Sequence, residues 1–238
     1  MRYRPTYPAN AVDAILEHLG PPAHLMAADI GAGTGISARL LGDRGVRVTA
    51  IEPGENMRRA AAPHPNVVWT AALAEATGLR SGSVDLVLSA QSFHWFRPDE
   101  ALPEFARILK PSGRLAIMWN RRSHTDPLTA GYRRAILDAG GESEAERMSF
   151  DPASIAAGGW FLPPERLAFP HHQRLDLSGL IGRAWSGSYV PRAGEAGEQL
   201  LAVLRALHAK HADADGCVTL VYETEVYRSS PIAARQTS

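Results

Sequence analysis

The sequence predicts an α/β protein built on a doubly wound, mostly parallel sheet. Three features predict it. Strand and helix patterns alternate through residues 1–120, the strand patterns are short and almost wholly apolar, and a glycine-rich turn joins the first strand to the next helix. Near-continuous apolar strands belong to sheets covered on both faces. Right-handed crossovers then wind the sheet in both directions, and a ligand sits beyond the carboxyl ends of the strands.

Each element has its own signal. Ala9–Leu19 places Val12, Ile15, Leu16 and Leu19 on one helix face, and Gly20-Pro21-Pro22 stops it. Leu25–Ile30 is a short buried strand ending at Gly31. Thr34–Arg44 is a helix closed by Gly45, and Val46–Ile51 is a β-branched second strand. Gly54–Ala62 is a short helix stopped by Pro63 and Pro65. Val67–Thr70 and Val84–Ser89 are the third and fourth strands. Asp99–Leu109 is a helix ended by Lys110-Pro111-Ser112-Gly113, and Arg114–Trp119 is the fifth strand. Beyond residue 121 the pattern becomes more helical. Pro127–Ala139 and Glu195–His211 read as helices, Ser178–Val190 as helix and loop, and Glu165–Leu175 as a strand. Val218–Tyr227 alternates apolar and polar positions, as a strand does, and a polar tail follows. The expected organisation is an N-terminal segment with the first helix (1–24), a Rossmann-like core (25–120), a helical insertion with one core strand (121–212), and a final strand and tail (213–238).

Composition removes several function classes. The 238 residues include 25 Lys plus Arg against 25 Asp plus Glu, so the basic footprint of a nucleic-acid binder is missing. The pairs Arg121-Arg122 and Arg133-Arg134 read as solvated surface. The single cysteine, Cys217, excludes a disulfide framework and argues against a thiolate metal site. His171-His172 suggests no metal either, because neighbours in a strand face opposite ways. No apolar run reaches the roughly 18 residues of a membrane span. The opening Met-Arg-Tyr-Arg-Pro-Thr-Tyr-Pro lacks an apolar signal region, so a cytoplasmic setting is expected.

The segment Asp29-Ile30-Gly31-Ala32-Gly33-Thr34-Gly35 follows a strand and opens a helix. Glycines there allow a tight turn and close approach of the backbone to a ligand. Glu52 ends the next strand, where a carboxylate can accept both hydroxyls of a ribose. Gly33-Thr34-Gly35-Ile36-Ser37-Ala38 also satisfies a dinucleotide pattern, so a nicotinamide cofactor is an alternative. Asp29 argues against it. A carboxylate against the loop repels a pyrophosphate and suits a cofactor that carries an ammonium and a sulfonium.

These segments together resemble class I S-adenosylmethionine-dependent methyltransferases of the UbiE-like, type 11 group. Asp29–Gly35 is similar to their first motif, and Ile51-Glu52-Pro53 to the acidic end of their second strand. Ala74-Glu75-Ala76 with Ser83-Val84-Asp85-Leu86-Val87 is similar to the adenine loop and fourth strand. Ala90-Gln91-Ser92-Phe93-His94-Trp95-Phe96 and Arg107–Gly113 match the segments after that strand and before the fifth. The Tyr-Arg-Pro-Thr-Tyr-Pro opening and His-Trp-Phe point to a subgroup resembling trans-aconitate methyltransferase. The resemblance covers residues 3 to 120 and thins beyond, apart from Ser186–Val190 and the last strand. Gly78 and Ser112 depart from it, where relatives have proline and glycine. Relatives also carry a further segment before Tyr-Arg-Pro, so a trimmed lid is expected.

The resemblance implies a seven-stranded sheet with an antiparallel last strand, S-adenosylmethionine as cofactor, and roles for named residues. Asp29 and the loop Gly31, Ala32, Gly33 and Thr34 would hold the methionine part. Glu52 and Pro53 would border the ribose, Met57, Ala74 and Glu75 the adenine, and Gln91 the sulfonium. Arg4 is a candidate for the cofactor carboxylate or an acidic substrate, with plain surface as its alternative. His94, past the fourth strand, is the candidate base or acceptor-orienting group, with loop packing an equal alternative. Tyr3, Tyr7, Phe93, Trp95, Asn120, Trp185, Ser188 and Tyr189 are substrate-side candidates. The expected reaction is methyl transfer to an oxygen, nitrogen or carbon of a small molecule, a carboxylic acid or natural product, by a monomer or homodimer. Cyclisation from the same cofactor, a non-catalytic cofactor-binding module, and an NAD(P)-dependent reductase are the alternatives.

Overall fold

The computed structural model describes residues 3–140, 150–187 and 190–232. Eight helices are described: α1 (Ala9–Leu16), α2 (Ile36–Gly42), α3 (Glu55–Arg59), α4 (Pro98–Ile108), α5 (Pro127–Asp138), α6 (Ser154–Ala157), α7 (Leu177–Trp185) and α8 (Gly194–His211). The strands are β1 (Met26–Ile30), β2 (Arg47–Ile51), β3 (Val67–Thr70), β4 (Val84–Ala90), β5 (Leu109–Arg122), β6 (Glu165–Leu175) and β7 (Val218–Ser229). They form one seven-stranded sheet in the order β3-β2-β1-β4-β5-β7-β6, with the last strand antiparallel. The pairs β1–β2, β1–β4, β2–β3 and β4–β5 are parallel.

The chain divides into two compact units, a larger one (7–119, 150–169, 225–238) and a smaller one (1–6, 120–149, 170–224). In the larger unit, alternation along the strands separates two cores. Val87, Leu115 and Ile117 pack with Phe105 of α4 on one side of the sheet. Leu86, Leu88, Ala116 and Met118 pack with Val12, Ile15 and Leu41 on the other. Burying both faces is what the near-continuous apolar strands require. The smaller unit has its own core, where Tyr132, Leu180, Leu204 and Leu220 are almost wholly buried. Two of its helices, α5 and α7, start at side-chain caps: the Asp126 carboxylate accepts the Thr129 N–H at 2.7 Å, and Asp176 accepts the Gly179 N–H at 2.6 Å.

Several boundaries differ from the sequence reading, and three of the differences have a local cause. The first helix ends at Leu16, not Leu19, because Glu17 is already extended at ψ 130° and His18 then turns left-handed at φ 63°. The second starts at Ile36, since Gly35 before it sits at φ 74° and closes the loop. The fifth strand starts at Leu109. Val84 pairs with Leu109 and Leu86 with Arg114, so residues 110–113 bulge out between them. Pro111 has no N–H to give a ladder, which is why this stretch read as a turn.

Candidate functional site

The carboxyl ends of β1, β2 and β4 bring the glycine loop, Glu52 and Gln91 to one edge of the larger unit. The loop is tightly bound to its own scaffold. Gly31 and Ala32 donate their N–H groups to the Ile51 carbonyl at 2.9 and 3.1 Å, and Gly35 donates to the Ala32 carbonyl at 2.8 Å. The Gly33 N–H donates to Glu52 Oε2 at 2.9 Å, and the Gly54 N–H to Glu52 Oε1 at 2.8 Å. Two amides thus fix the Glu52 carboxylate, and each of its oxygens keeps a free lone pair.

Gly31 and Gly33 both need the left-handed region, at φ 67° and 58°, but for different surroundings. A Cβ on Gly31 would lie 2.6 Å from Ser92 Cβ, whereas a Cβ on Gly33 would meet no atom within 4 Å. Gly33 therefore faces open space, and Gly31 seats the loop against the turn after β4. Ser92 locks that turn: its hydroxyl donates to the Ile30 carbonyl at 2.8 Å and lies 2.8 Å from Ser89 Oγ. Gln91, just before it, is held at φ 59°, a costly conformation for a side-chain-bearing residue, while its N–H donates to the Met118 carbonyl at 3.0 Å.

Asp29 is 0% exposed. Its Oδ2 accepts the Ser37 hydroxyl at 2.7 Å, while Oδ1 is buried with no partner. Burial pushes its carboxyl up to about 7, and the Glu52 charge adds to the rise, against the lowering effect of Ser37 and the Ala38 amide. Thr34 is buried and gives its carbonyl to Arg39 Nη1 at 2.7 Å. Pro53 is exposed and Met57 half-buried. Ala74 is buried, and the neighbouring Glu75 accepts the Arg97 N–H at 2.9 Å. Gly78 sits at φ 73°, which a proline ring forbids, so this turn takes a path closed to relatives with proline there.

The N–H groups of Gly31, Ala32 and Gly33 are already used, so they cannot donate to a ligand. What the loop offers instead is acceptors: the Gly31 and Gly33 carbonyls accept no hydrogen bond among the described residues. Together with Asp29 Oδ1 and Glu52, they make a site of acceptors alone. Such a site fits an ammonium and ribose hydroxyls, the donor groups of S-adenosylmethionine, and opposes a pyrophosphate.

His94 lies in a short 3-10 turn, Phe93–Trp95. Its ring sits 4.7 Å from Trp95 and 5.1 Å from Trp119, and both ring nitrogens are buried without a hydrogen-bond partner. Burial lowers its pKa to about 4. Phe93 is core, while Trp95 is 68% exposed. Trp119 and Phe150, which stack 6.4 Å apart, were not singled out from sequence. Phe150 lies far from any motif, and Trp119 reads simply as strand.

The other candidates are scattered. Tyr7 is buried in the larger unit's core. In the smaller unit, Asn120 Nδ2 donates to the Thr6 carbonyl at 3.0 Å and Oδ1 accepts the Thr224 hydroxyl at 2.6 Å, so both ends of its amide are engaged. Tyr3 packs its ring on Gly182, Arg4 is exposed, and Trp185 flanks that unit's core. Ser188 and Tyr189 lie outside the described residues.

Comparison with known proteins agrees with the geometry. Residues 28–117 match the model of the methyltransferase domain family. An uncharacterised methyltransferase-like protein of Schizosaccharomyces pombe is 37% identical over 194 residues, 81% of this chain and 75% of that one. An uncharacterised methyltransferase of Mycobacterium bovis is 43% identical over 122 residues, 51% of this chain and 49% of its own. The chain thus spans about half the length of that relative. Among solved structures, a candidate type II methyltransferase from Anaeromyxobacter dehalogenans superposes with a TM-score of 0.69 at 24% identity, over 96% of this chain and 98% of that one. The fold is the Rossmann-like α/β fold of that methyltransferase structure. The chain belongs to the methyltransferase domain family, whose cofactor is S-adenosylmethionine.

Proposed function

We propose that this protein transfers a methyl group from S-adenosylmethionine to a nucleophilic atom of a small molecule. The observation that supports it best is the all-acceptor site of Asp29 Oδ1, Glu52 and the glycine-loop carbonyls. The cofactor supplies a methyl group already activated by a sulfonium, so the protein's contribution is position and a dry surface. Asp29 and the loop carbonyls would take the ammonium, and Glu52 the ribose hydroxyls. Ala74 and Met57 would border the adenine, and Gln91 the sulfonium side.

On the acceptor side we read His94 as an orienting group more than a base. A neutral imidazole between two tryptophans gains a proton only against the desolvation that lowers its pKa to about 4. An acceptor that is already ionised, such as a carboxylic acid, needs no base, and this favours an oxygen acceptor over an ammonium. The even balance of charge supports a small-molecule acceptor over a nucleic acid.

Calorimetric titration tests the proposal. S-adenosylmethionine and S-adenosylhomocysteine should bind, and NADH and NADPH should not. Glu52→Ala should weaken the first two by about 1–3 kcal/mol, through loss of charge-assisted hydrogen bonds. Tight NAD(P)H binding would overturn the reading.

A further inference from the structure

The larger unit holds a guanidinium with an unused edge, and it stands in an open cleft. Arg114 lies on β5, half-buried. Its Nη1 gives both hydrogens to the end of α1, donating to the Ile15 carbonyl at 2.8 Å and the Glu17 carbonyl at 2.7 Å. Among the described residues, its Nε and Nη2 have no hydrogen-bond partner, and neither is sealed from water. No carboxylate among those residues pairs with Arg114. The neighbouring Arg228 is matched, by Glu17 at 2.9 Å and Glu165 at 2.6 Å. Both arginines line the cleft, together with Glu165, Leu162, Pro163 and Ser230. Leu162 is 50% exposed, so the cleft has an uncovered apolar wall. The Ser230 hydroxyl is exposed and has no partner among the described residues. Burial and the charge of Arg228 both pull the Arg114 guanidinium below its ordinary pKa, while Glu17 and Glu165 oppose them.

We propose that this cleft binds a small organic carboxylate with an apolar body, its charge on Arg114 and its body on Leu162 and Pro163. The site lies within the larger unit and apart from the cofactor edge. Arg114 pairs with Leu86 near the start of β4, whereas Gln91 follows that strand's end. The geometry of the guanidinium carries the argument. With Nη1 tied to two carbonyls, the remaining edge is Nε–H beside Nη2–H, two parallel donors spaced for the two oxygens of one carboxylate. The carbonyls fix the plane of the group in advance, so little rotamer freedom is lost on binding. Holding the end of α1 needs Nη1 alone and leaves that edge unused. A bound anion also offsets the charge of Arg228, which now works against the guanidinium. The Glu165 carboxylate in the same cleft repels a doubly charged phosphate more than a singly charged ligand. The Leu162 wall favours an apolar body, which a bare inorganic ion lacks.

The test titrates the full chain, with and without S-adenosylhomocysteine, by calorimetry. The ligands are butyrate, isovalerate and hexanoate, each paired with its primary amide, and inorganic phosphate. At least one carboxylate should bind about tenfold tighter than its amide, the worth of a charge-assisted pair, and tighter than phosphate. Arg114→Gln should erase that difference while leaving S-adenosylhomocysteine affinity unchanged. Arg114 also holds α1, so a second variant guards against loss of the fold. Leu162→Glu alters an exposed side chain and should melt with the wild type. Its added charge should weaken the carboxylate more than the amide and remove most of the preference. A wild type that prefers no carboxylate overturns the proposal, and so does phosphate binding as tightly as the best carboxylate. A preference that survives Leu162→Glu in full, or a folded Arg114→Gln, overturns it as well. Carboxylate binding that disappears once S-adenosylhomocysteine is loaded would move the ligand to the cofactor edge and sink this site. If S-adenosylhomocysteine itself does not bind, the cofactor reading falls, and the same variants judge the cleft on the unloaded chain.

Discussion

Asp29 joins stability and the proposed cofactor site in one carboxyl group. Burial raises it from 3.8 to about 7. Between those values the native state holds more protons than the unfolded chain, so stability falls as pH rises through that window and levels off above it. Asp29→Asn should flatten this slope, as urea midpoints at about pH 5 and about pH 8 would reveal. An ammonium favours the ionised form, so cofactor affinity should run the opposite way, rising toward about tenfold per pH unit up to about 7. Calorimetry on either side of neutrality checks it, and a flat wild-type profile would separate Asp29 from the ammonium. His94 behaves differently. Its folded pKa lies at about 4, below the usual 6.5, so it stays neutral in the native state while the unfolded chain protonates. Its contribution is complete above 6.5 and is lost as pH falls through the window below. The ring Cε1 proton should show no titration shift by NMR from about pH 8 down to about pH 5. An inflection near 6.5 would mean a solvated imidazole and restore the general base.

The glycine loop shows what an element adds to its residues. Gly31 and Gly33 look equivalent in sequence, and both are left-handed, yet only Gly31 is packed. Gly31→Ala drives a Cβ into Ser92, so it should destabilise the fold by more than the roughly 1–2 kcal/mol of left-handed strain alone. Gly33→Ala pays only the strain and should melt roughly 2–8 °C below the wild type, but its methyl group projects into open space at the site and should abolish S-adenosylhomocysteine binding. Melting curves paired with titrations separate the two, and equal effects on both would refute the division. The acidic residues and glycines of this loop were legible because their spacing reports the strand-turn-helix directly. Which of their atoms are free was not. The use of the loop amides by Ile51 and Glu52 depends on how β2 lies beside β1, a pairing distant in sequence. Strand β3 was legible to the residue, while β5 was not, since a bulge opposite Asp85 is set by its partner strand.

Across the whole larger unit, the proposed cofactor site and the arginine-centred ties occupy opposite ends of the strands. The glycine loop, Glu52 and Gln91 gather at the carboxyl ends. At the amino end of β5, Arg114 and Arg228 line an open surface cleft with Leu162, Pro163, Glu165, Ser229 and Ser230. Arg228 there joins the last strand to the first helix: it donates to the Ala14 carbonyl at 2.7 Å and pairs with Glu17 at 2.9 Å and Glu165 at 2.6 Å. Its side chain is only 12% exposed, so it bonds in a partly desolvated setting, but both glutamates are more than half exposed and water screens their share. The uncapped helix carbonyl is the larger loss. Arg228→Met should therefore destabilise by about 1–2 kcal/mol and lower the melting temperature by roughly 2–8 °C. Cofactor affinity should not move, because the change lies a strand's length from Glu52 and Asp29. A loss of S-adenosylhomocysteine binding equal to the loss of stability would show instead that the sheet transmits strain from one end to the other, and that the site is held by the whole unit and not by its own loop.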